Sequence, residues 1–189
     1  MSGRTYGDAC GIARALDLIG DRWALLVVRE LLLGPKRYTD LLNGLGRVAP
    51  DVLTQRLRDL EAGGIARRIT APGPGRVQVY ELTERGQDLE PVLRELGRFG
   101  SYLAMPEGDL MFSPDAAAIA LSTTFDPQRA ANLRTHCVFT LDGEPLAIGI
   151  DDGELDLRRD WDGTPEATLT TTPAVLATLV WHGRALDDA

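Results

Sequence analysis

Cysteine and histidine are scarce in this chain. Its 189 residues include two cysteines, Cys10 and Cys137, and two histidines, His136 and His182. Two thiols so far apart make neither a disulfide framework nor a metal cluster, and they point to a reducing, intracellular setting. Adjacent strand residues face opposite ways, so His136 and Cys137 do not form a nucleophile and base pair. Metal-ligand clustering is absent, and Asp151, Asp152, Glu154 and Asp156 read as hairpin and surface charges. No catalytic residue, metal or cofactor is therefore expected. Long apolar runs are missing too. The longest, Ala24 to Leu33, is broken by Arg29 and Glu30, and no basic-then-apolar leader opens the chain. A soluble, cytoplasmic protein with no membrane partner is the expectation.

What is present is unevenly charged. Residues 1–105 carry 15 Lys and Arg against 13 Asp and Glu, a net of +2, whereas residues 106–189 carry 5 against 15, a net of −10. The first half can approach a polyanion that would repel the second. A composition shift at Met105-Pro106-Glu107-Gly108 marks the boundary, so two domains are expected, 1–105 and 106–189.

In the first half, Ala9 to Ile19 reads as a helix with Ile12, Leu16 and Ile19 on one face, ended by Gly20. Asp21 is placed to cap a second helix, apolar nearly all round and stopped at Gly34-Pro35. Tyr38, Leu41, Leu42 and Leu45 give a short helix ended by Gly44 and Gly46. Leu53, Leu57 and Leu60 then bury one side of a helix that starts at Pro50 and Asp51. Helix, tight turn, helix is the arrangement of DNA-binding helix-turn-helix units. On the second of these helices Asp51, Gln55 and Arg58 face away from the leucines, with Thr54 and Arg56 on the flanks. Gln and Arg have the paired hydrogen-bonding groups that match adenine and guanine edges.

After Gly63-Gly64, residues Ile65 to Thr70 and Val77 to Leu82 read as a hairpin, a wing whose tip runs from Ala71 to Arg76. Arg76, with Arg67 and Arg68 behind it, suits phosphates or a minor groove. The candidate DNA contacts are Lys36, Arg37, Asp51, Thr54, Gln55, Arg56, Arg58, Arg67 and Arg76. From Thr83 onward, Leu89, Val92, Leu93, Leu96, Phe99 and Leu103 form a helical stripe that needs a partner. That partner is either a second subunit, through this helix or the Ala9 to Ile19 helix, or the second domain. The candidate dimer residues are Ile12, Leu16, Leu89, Leu93, Leu96, Phe99 and Leu103.

The strings ALDLIGDRWALLVVRELLLGPKRYTDLLNGL, LTQRLRDLEAGGIARR and VYELTERGQDLEPVLRELGRFG, in this order over Cys10 to Gly100, resemble the HxlR family of winged helix-turn-helix transcriptional regulators. The resemblance implies a homodimer joined by the first and last helices of this domain, with the Gln55 helix in the major groove and the wing over the adjacent backbone. It also implies small-molecule or redox control, for which Cys10, just before the first helix, is the redox candidate. Ala49 departs from the family pattern, in which a serine or similar cap precedes the recognition helix.

In the second half, Ser113-Pro114-Asp115 and Asp126-Pro127 each read as a cap followed by proline, and predict two short helices. Strands Cys137 to Leu141, Leu146 to Ile150 and Leu155 to Leu157 are separated by Asp142-Gly143 and Asp152-Gly153, both hairpin signals. A fourth strand near Ala167 to Thr170 and a helix from Pro173 to Trp181 complete an antiparallel meander with helices on one face. VFTLDGEPLAIGIDDGELDLRRD and ATLTTTPAVLATLV resemble the sterol-carrier-protein-like fold, which implies an apolar cavity. Phe139, Ile148, Leu157, Leu169, Leu176 and Leu179 are its candidate lining.

The whole reads as α+β, an N-terminal winged helix-turn-helix domain followed by a small antiparallel-sheet-plus-helices domain. The expected function is a homodimeric transcriptional regulator, a repressor, on a palindromic operator in double-stranded DNA, with a hydrophobic small-molecule effector as a possible partner and a nucleoid-associated location. The alternative is a hydrophobic-ligand or lipid-binding protein whose helix-turn-helix serves protein contacts. An enzyme would require a polar constellation that the chain does not display.

Overall fold

The computed structural model describes residues 5–72, 76–104 and 111–181. The chain divides into two compact units, Met1–Leu93 and Arg94–Ala189. The first contains helices α1 (Gly11–Ile19), α2 (Ala24–Leu31), α3 (Tyr38–Leu45) and α4 (Pro50–Ala62), the strands β1 (Ala66–Thr70) and β2 (Gln78–Leu82), and the short α5 (Glu84–Gln87). Helix α6 (Glu90–Gly100) carries the division within it. Among the described residues no helix is long and apolar enough to cross a membrane.

The core of the first unit is built largely from the periodic apolar residues of α2, α3 and α4, joined by Ile19 of α1. Val27, Val28 and Leu31 of α2, Leu41 of α3 and Leu53, Leu57 and Leu60 of α4 are all buried. Each such side chain contributes roughly 1.5–3 kcal/mol by leaving water. Two local expectations are corrected here. Asp21 does not cap α2. Trp23 takes the N-cap position in the left-handed region, φ 79°, and Asp21 instead receives a salt bridge from Arg56. Gly44 does not end α3. It lies inside the helix, and Gly46, at φ 62°, ends it. The α4 N-terminus at Ala49 has no side-chain cap, as its side chain dictates, and opens on Pro50 with Asp51 in the first turn.

β1 and β2 pair antiparallel from Ala66 opposite Leu82 to Thr70 opposite Gln78. The turn expected between them includes residues 73–75, which lie outside the described residues. The long helix expected from Thr83 is broken. Thr83 caps α5 by accepting from the Gly86 amide at 3.1 Å, and its hydroxyl donates to the Gly64 carbonyl at 2.7 Å. A Cβ at Gly86 would collide with the Ile65 carbonyl, so only glycine lets this turn press on the strand. The division at Leu93 has a physical cause. Leu93 is seated in the first core, whereas a Cβ at Gly97 would meet the Thr123 methyl in the second unit at 2.7 Å. The boundary expected at 105/106 lies at residues outside those described.

The second unit contains α7 (Pro114–Thr124), β3 (Arg134–Leu141), β4 (Glu144–Asp151), β5 (Glu154–Arg158), β6 (Ala167–Thr171) and α8 (Pro173–Trp181). Ser113 caps α7 as expected, its hydroxyl accepting from the Ala116 amide at 3.0 Å. Asp126-Pro127 does not start a helix. The Asp126 carboxylate accepts from the amides of Gln128 and Arg129 and holds a run of turns instead. Asp142-Gly143 and Asp152-Gly153 do form the hairpins, with all four residues at positive φ, 46° to 88°.

The sheet is not an antiparallel meander. Its order is β5-β4-β3-β6, and β6 runs parallel to β3, from Cys137 opposite Ala167 to Leu141 opposite Thr171. The segment 159–166 therefore carries the chain from one sheet edge to the other. Arg159 anchors its start on buried Asp115 at 2.9 Å, on Glu144 at 2.9 Å and on the Pro145 carbonyl at 3.0 Å. Trp161 stacks on His136, and the Glu166 amide donates to the His136 carbonyl at 2.8 Å. Those long-range contacts decide which edge β6 joins, and no local pattern encodes them.

Candidate nucleic-acid interface

The burial of Leu53, Leu57 and Leu60 fixes the roll of α4, and with it the side that α4 turns to solvent. Asp51, Gln55 and Arg58 are exposed, Thr54 is half-buried, and Val52 lies at the edge of the same open face. The Gln55 amide donates to Asp59 Oδ1 at 2.8 Å, one helical turn on. The hydroxyls of Tyr38 and Thr54 both donate to the Pro50 carbonyl, at 2.7 Å and 2.8 Å. Tyr38 thereby ties the first turn of α3 to the first turn of α4. The angle between the two helices is set by that contact and by the shared leucine core.

The remaining candidates divide by where their charges go. Arg56 is only 14% exposed and is committed to Asp21 and, at 2.9 Å, to Asp59. Lys36 is similarly turned inward, its ammonium 3.1 Å from the buried Glu30 carboxylate. Arg67 pairs across the hairpin with Glu81 at 2.6 Å, although its side chain stays largely exposed. Arg37 and Arg76 are exposed, and the Arg37 amide donates to Asp40 Oδ2 at 3.1 Å. Arg76 sits in the left-handed region at φ 45°. Between the start of α3 and the hairpin, Pro35, Arg37, Asp40, Ala71, Pro72, Val77 and Val79 line a groove. The structure thus brings Asp51, Gln55 and Arg58 to one outward face of α4, with Thr54 beside them. It pairs Lys36 with the buried Glu30, and Arg56, which flanks the same face, with Asp21 and Asp59.

The apolar stripes divide in the same way. Ile12 and Leu16 of α1, Leu96 and Phe99 of α6 and Leu103 beyond it are exposed, Phe99 by 65%. Leu93 is 7% exposed within its own core and Leu89 packs against that core, so these two serve the fold of their own chain. The kink after α5 turns the start of α6 onto that core, which helical spacing alone could not reveal. Cys10 is exposed at the N-cap of α1, with its amide donating to Asp8 Oδ1 at 2.8 Å.

In the second unit Leu176 and Ile148 are buried, and Phe139, Leu157, Leu169 and Leu179 are half-buried. A cavity of about 90 Å³ is lined by His136, Cys137, Ala147, Ile148, Gly149, Asp156, Arg158 and Trp161. Of the six expected pocket residues it includes Ile148. Among the described residues no group of three or more His, Cys, Asp or Glu side chains is placed to hold a metal ion.

One feature escaped the sequence reading. Glu30 is fully buried with Arg29 and Lys36 against its carboxylate, and its only sequence signal is the charged Arg29-Glu30 pair that interrupts an apolar run.

A helix pair with a leucine-buried second helix, followed by a two-stranded hairpin, is the architecture of helix-turn-helix DNA-binding proteins. A family model described as HxlR-like helix-turn-helix matches residues 18–107. The HTH-type transcriptional regulator sll1512 of Synechocystis is 42% identical over 96 residues, which is 50% of this chain and 70% of that protein. YkvN, an HTH-type transcriptional regulator of Bacillus subtilis, is 37% identical over 100 residues, 52% of this chain and 84% of its own. The reduced form of the regulator YodB from Bacillus subtilis, a solved structure, is 28% identical with a TM-score of 0.45, covering 53% of this chain and all of that one. The chain belongs to the HxlR-like helix-turn-helix family and is a transcriptional regulator of that type.

Proposed function

We propose that the protein is a sequence-specific repressor that binds a palindromic operator as a homodimer, under small-molecule or redox control. The observation that carries this reading is the outward face of α4, where Gln55 and Arg58 are exposed directly behind a fully buried leucine stripe. Both side chains can make paired hydrogen bonds to a purine edge in the major groove, and Asp51 and Thr54 border them. Arg37 and Arg76 supply phosphate contacts, which add affinity without reading sequence. The exposed apolar side chains of α1 and α6 support a two-fold dimer, which sets two α4 helices about one turn of DNA apart.

Control acts through the second unit or through Cys10. The half-buried apolar side chains of Phe139, Leu157, Leu169 and Leu179 support a hydrophobic ligand in the second unit, read as a sterol-carrier-like module, and the exposure of Cys10 supports oxidation there. The negative charge of residues 106–189 keeps this half off DNA. Such a regulator works in the cytoplasm, at the nucleoid.

Selection of bound sequences from random duplexes at near-physiological salt tests the reading. Recovery of an inverted repeat is the expected result. Binding without a motif, vanishing as salt rises, overturns it and leaves hydrophobic-ligand binding by the second unit as the main function.

A further inference from the structure

Glu30 is a charge in an unusual place. Its side chain is 0% exposed, and a lone carboxylate at that depth would be strongly disfavoured. Arg29, its chain neighbour, donates to Oε1 through Nη2 at 2.7 Å and Nε at 3.2 Å. Lys36 donates to Oε2 at 3.1 Å. A Cβ at Gly44 would collide with the same oxygen, so the carboxylate lies directly against α3.

Lys36 is also fastened through its main chain. Its amide donates to the Tyr80 carbonyl at 2.9 Å, and the Tyr80 amide donates back to the Lys36 carbonyl at 2.8 Å. That pair makes Lys36 a bridge on the free edge of β2. One residue is therefore held by α2 through its side chain and by the hairpin through its backbone. Arg29 orients the carboxylate from within the same helix. Beside the apolar contacts that Ala66 and Leu82 make with the helical core, Lys36 supplies a polar link between helices and hairpin.

We propose that Glu30 is a positioning residue that locks the hairpin to the helix pair by holding Lys36, so that Lys36 acts inside the protein and not on phosphate. The proposal rests on the DNA-binding reading and deepens it. An α4 helix in the major groove and a hairpin over the neighbouring backbone bind together only if their separation is fixed beforehand. The lock supplies that separation from a buried, charge-assisted contact, where solvent screening is weakest.

The test uses the full-length protein and two variants, Glu30→Gln and Lys36→Met. Amide hydrogen exchange is read at Lys36 and Tyr80, with Leu57 in α4 as the control for the fold. Exchange at Lys36 and Tyr80 is expected to rise about tenfold or more in either variant while Leu57 keeps its protection. Unchanged exchange at both bridge amides overturns the lock. On the operator recovered by selection, Lys36→Met is expected to weaken specific binding about tenfold with an unaltered salt slope. A slope reduced by about one is the signature of a lost phosphate contact and overturns the internal role of Lys36. If selection yields no operator, the DNA-binding reading fails, and the exchange measurement still decides whether the lock exists.

Discussion

Arg56 of α4 reaches back to Asp21, ahead of α2, and pairs with it, although the two lie 35 residues apart in the chain. The same guanidinium holds Asp59 one turn along its own helix at 2.9 Å. The contact ties the flank of α4 to the entry of α2, so that Arg56 braces α4. Arg56→Ala is expected to lower stability by about 1 kcal/mol, the upper end for a partly exposed pair, and to leave the salt slope of DNA binding unchanged. Chemical denaturation and binding titrations at several salt concentrations check both halves of this expectation. A slope lowered by about one would return Arg56 to the phosphate contacts.

Gln55 and Arg58 should behave differently from Arg76. Gln55→Ala and Arg58→Ala are each expected to cost about 1–3 kcal/mol on the operator and little on random duplex, because the lost bonds are to base edges. Arg76→Ala should weaken both duplexes alike and reduce the salt slope by about one. Parallel titrations on the two duplexes measure the difference. Equal losses for all three variants would remove base reading from α4.

Phe99 is the most exposed of the apolar residues on α6 itself, and Leu96 lies on the same stripe. Phe99→Glu adds a charge there without disturbing the core that Leu93 fills. It is expected to convert a dimer to a monomer at micromolar concentration in sedimentation, with thermal stability of the monomer fold retained. An unchanged sedimentation coefficient would show that the exposed stripe is not the dimer contact.

Asp152 is lowered from its ordinary carboxylate value, chiefly by the hydrogen bond from Arg134; desolvation opposes this, and the charge of Arg134 adds a lesser lowering. Arg134 is raised in turn by the same hydrogen bond and by the charges of Asp152 and Asp151. A lowered folded value means that the pair stabilises fully above the unfolded carboxylate value of about 4, and that this is lost as pH falls through the lower folded value. Arg134→Gln should therefore move the Asp152 titration up toward its ordinary value, as followed by carboxyl carbon chemical shifts. A titration that stays put would mean that Arg134 is not its cause.

Much of the first unit was legible in the sequence because its information is local. Leucines at helical spacing determine which side of α4 is buried, and so that Gln55 and Arg58 face out. Gly46 at φ 62° and the Asp-Gly pairs at positive φ determine where the chain turns, since few other residues adopt that backbone at low cost. Sequence order alone also carries the family resemblance that the comparisons bear out. What only the tertiary structure decided are the pairings between distant residues. Asp21 with Arg56, Glu30 with Lys36, Arg159 with Asp115 and Trp161 with His136 each join a connecting segment to a helix or strand. A charged side chain in isolation reads the same whether it faces solvent or a carboxylate of its own chain, so the ion pairs of Lys36 and Arg56 became visible only once their partners were located. β6 lies parallel to β3 for the same reason, because a strand's own alternation names its buried face but not the neighbour it will join.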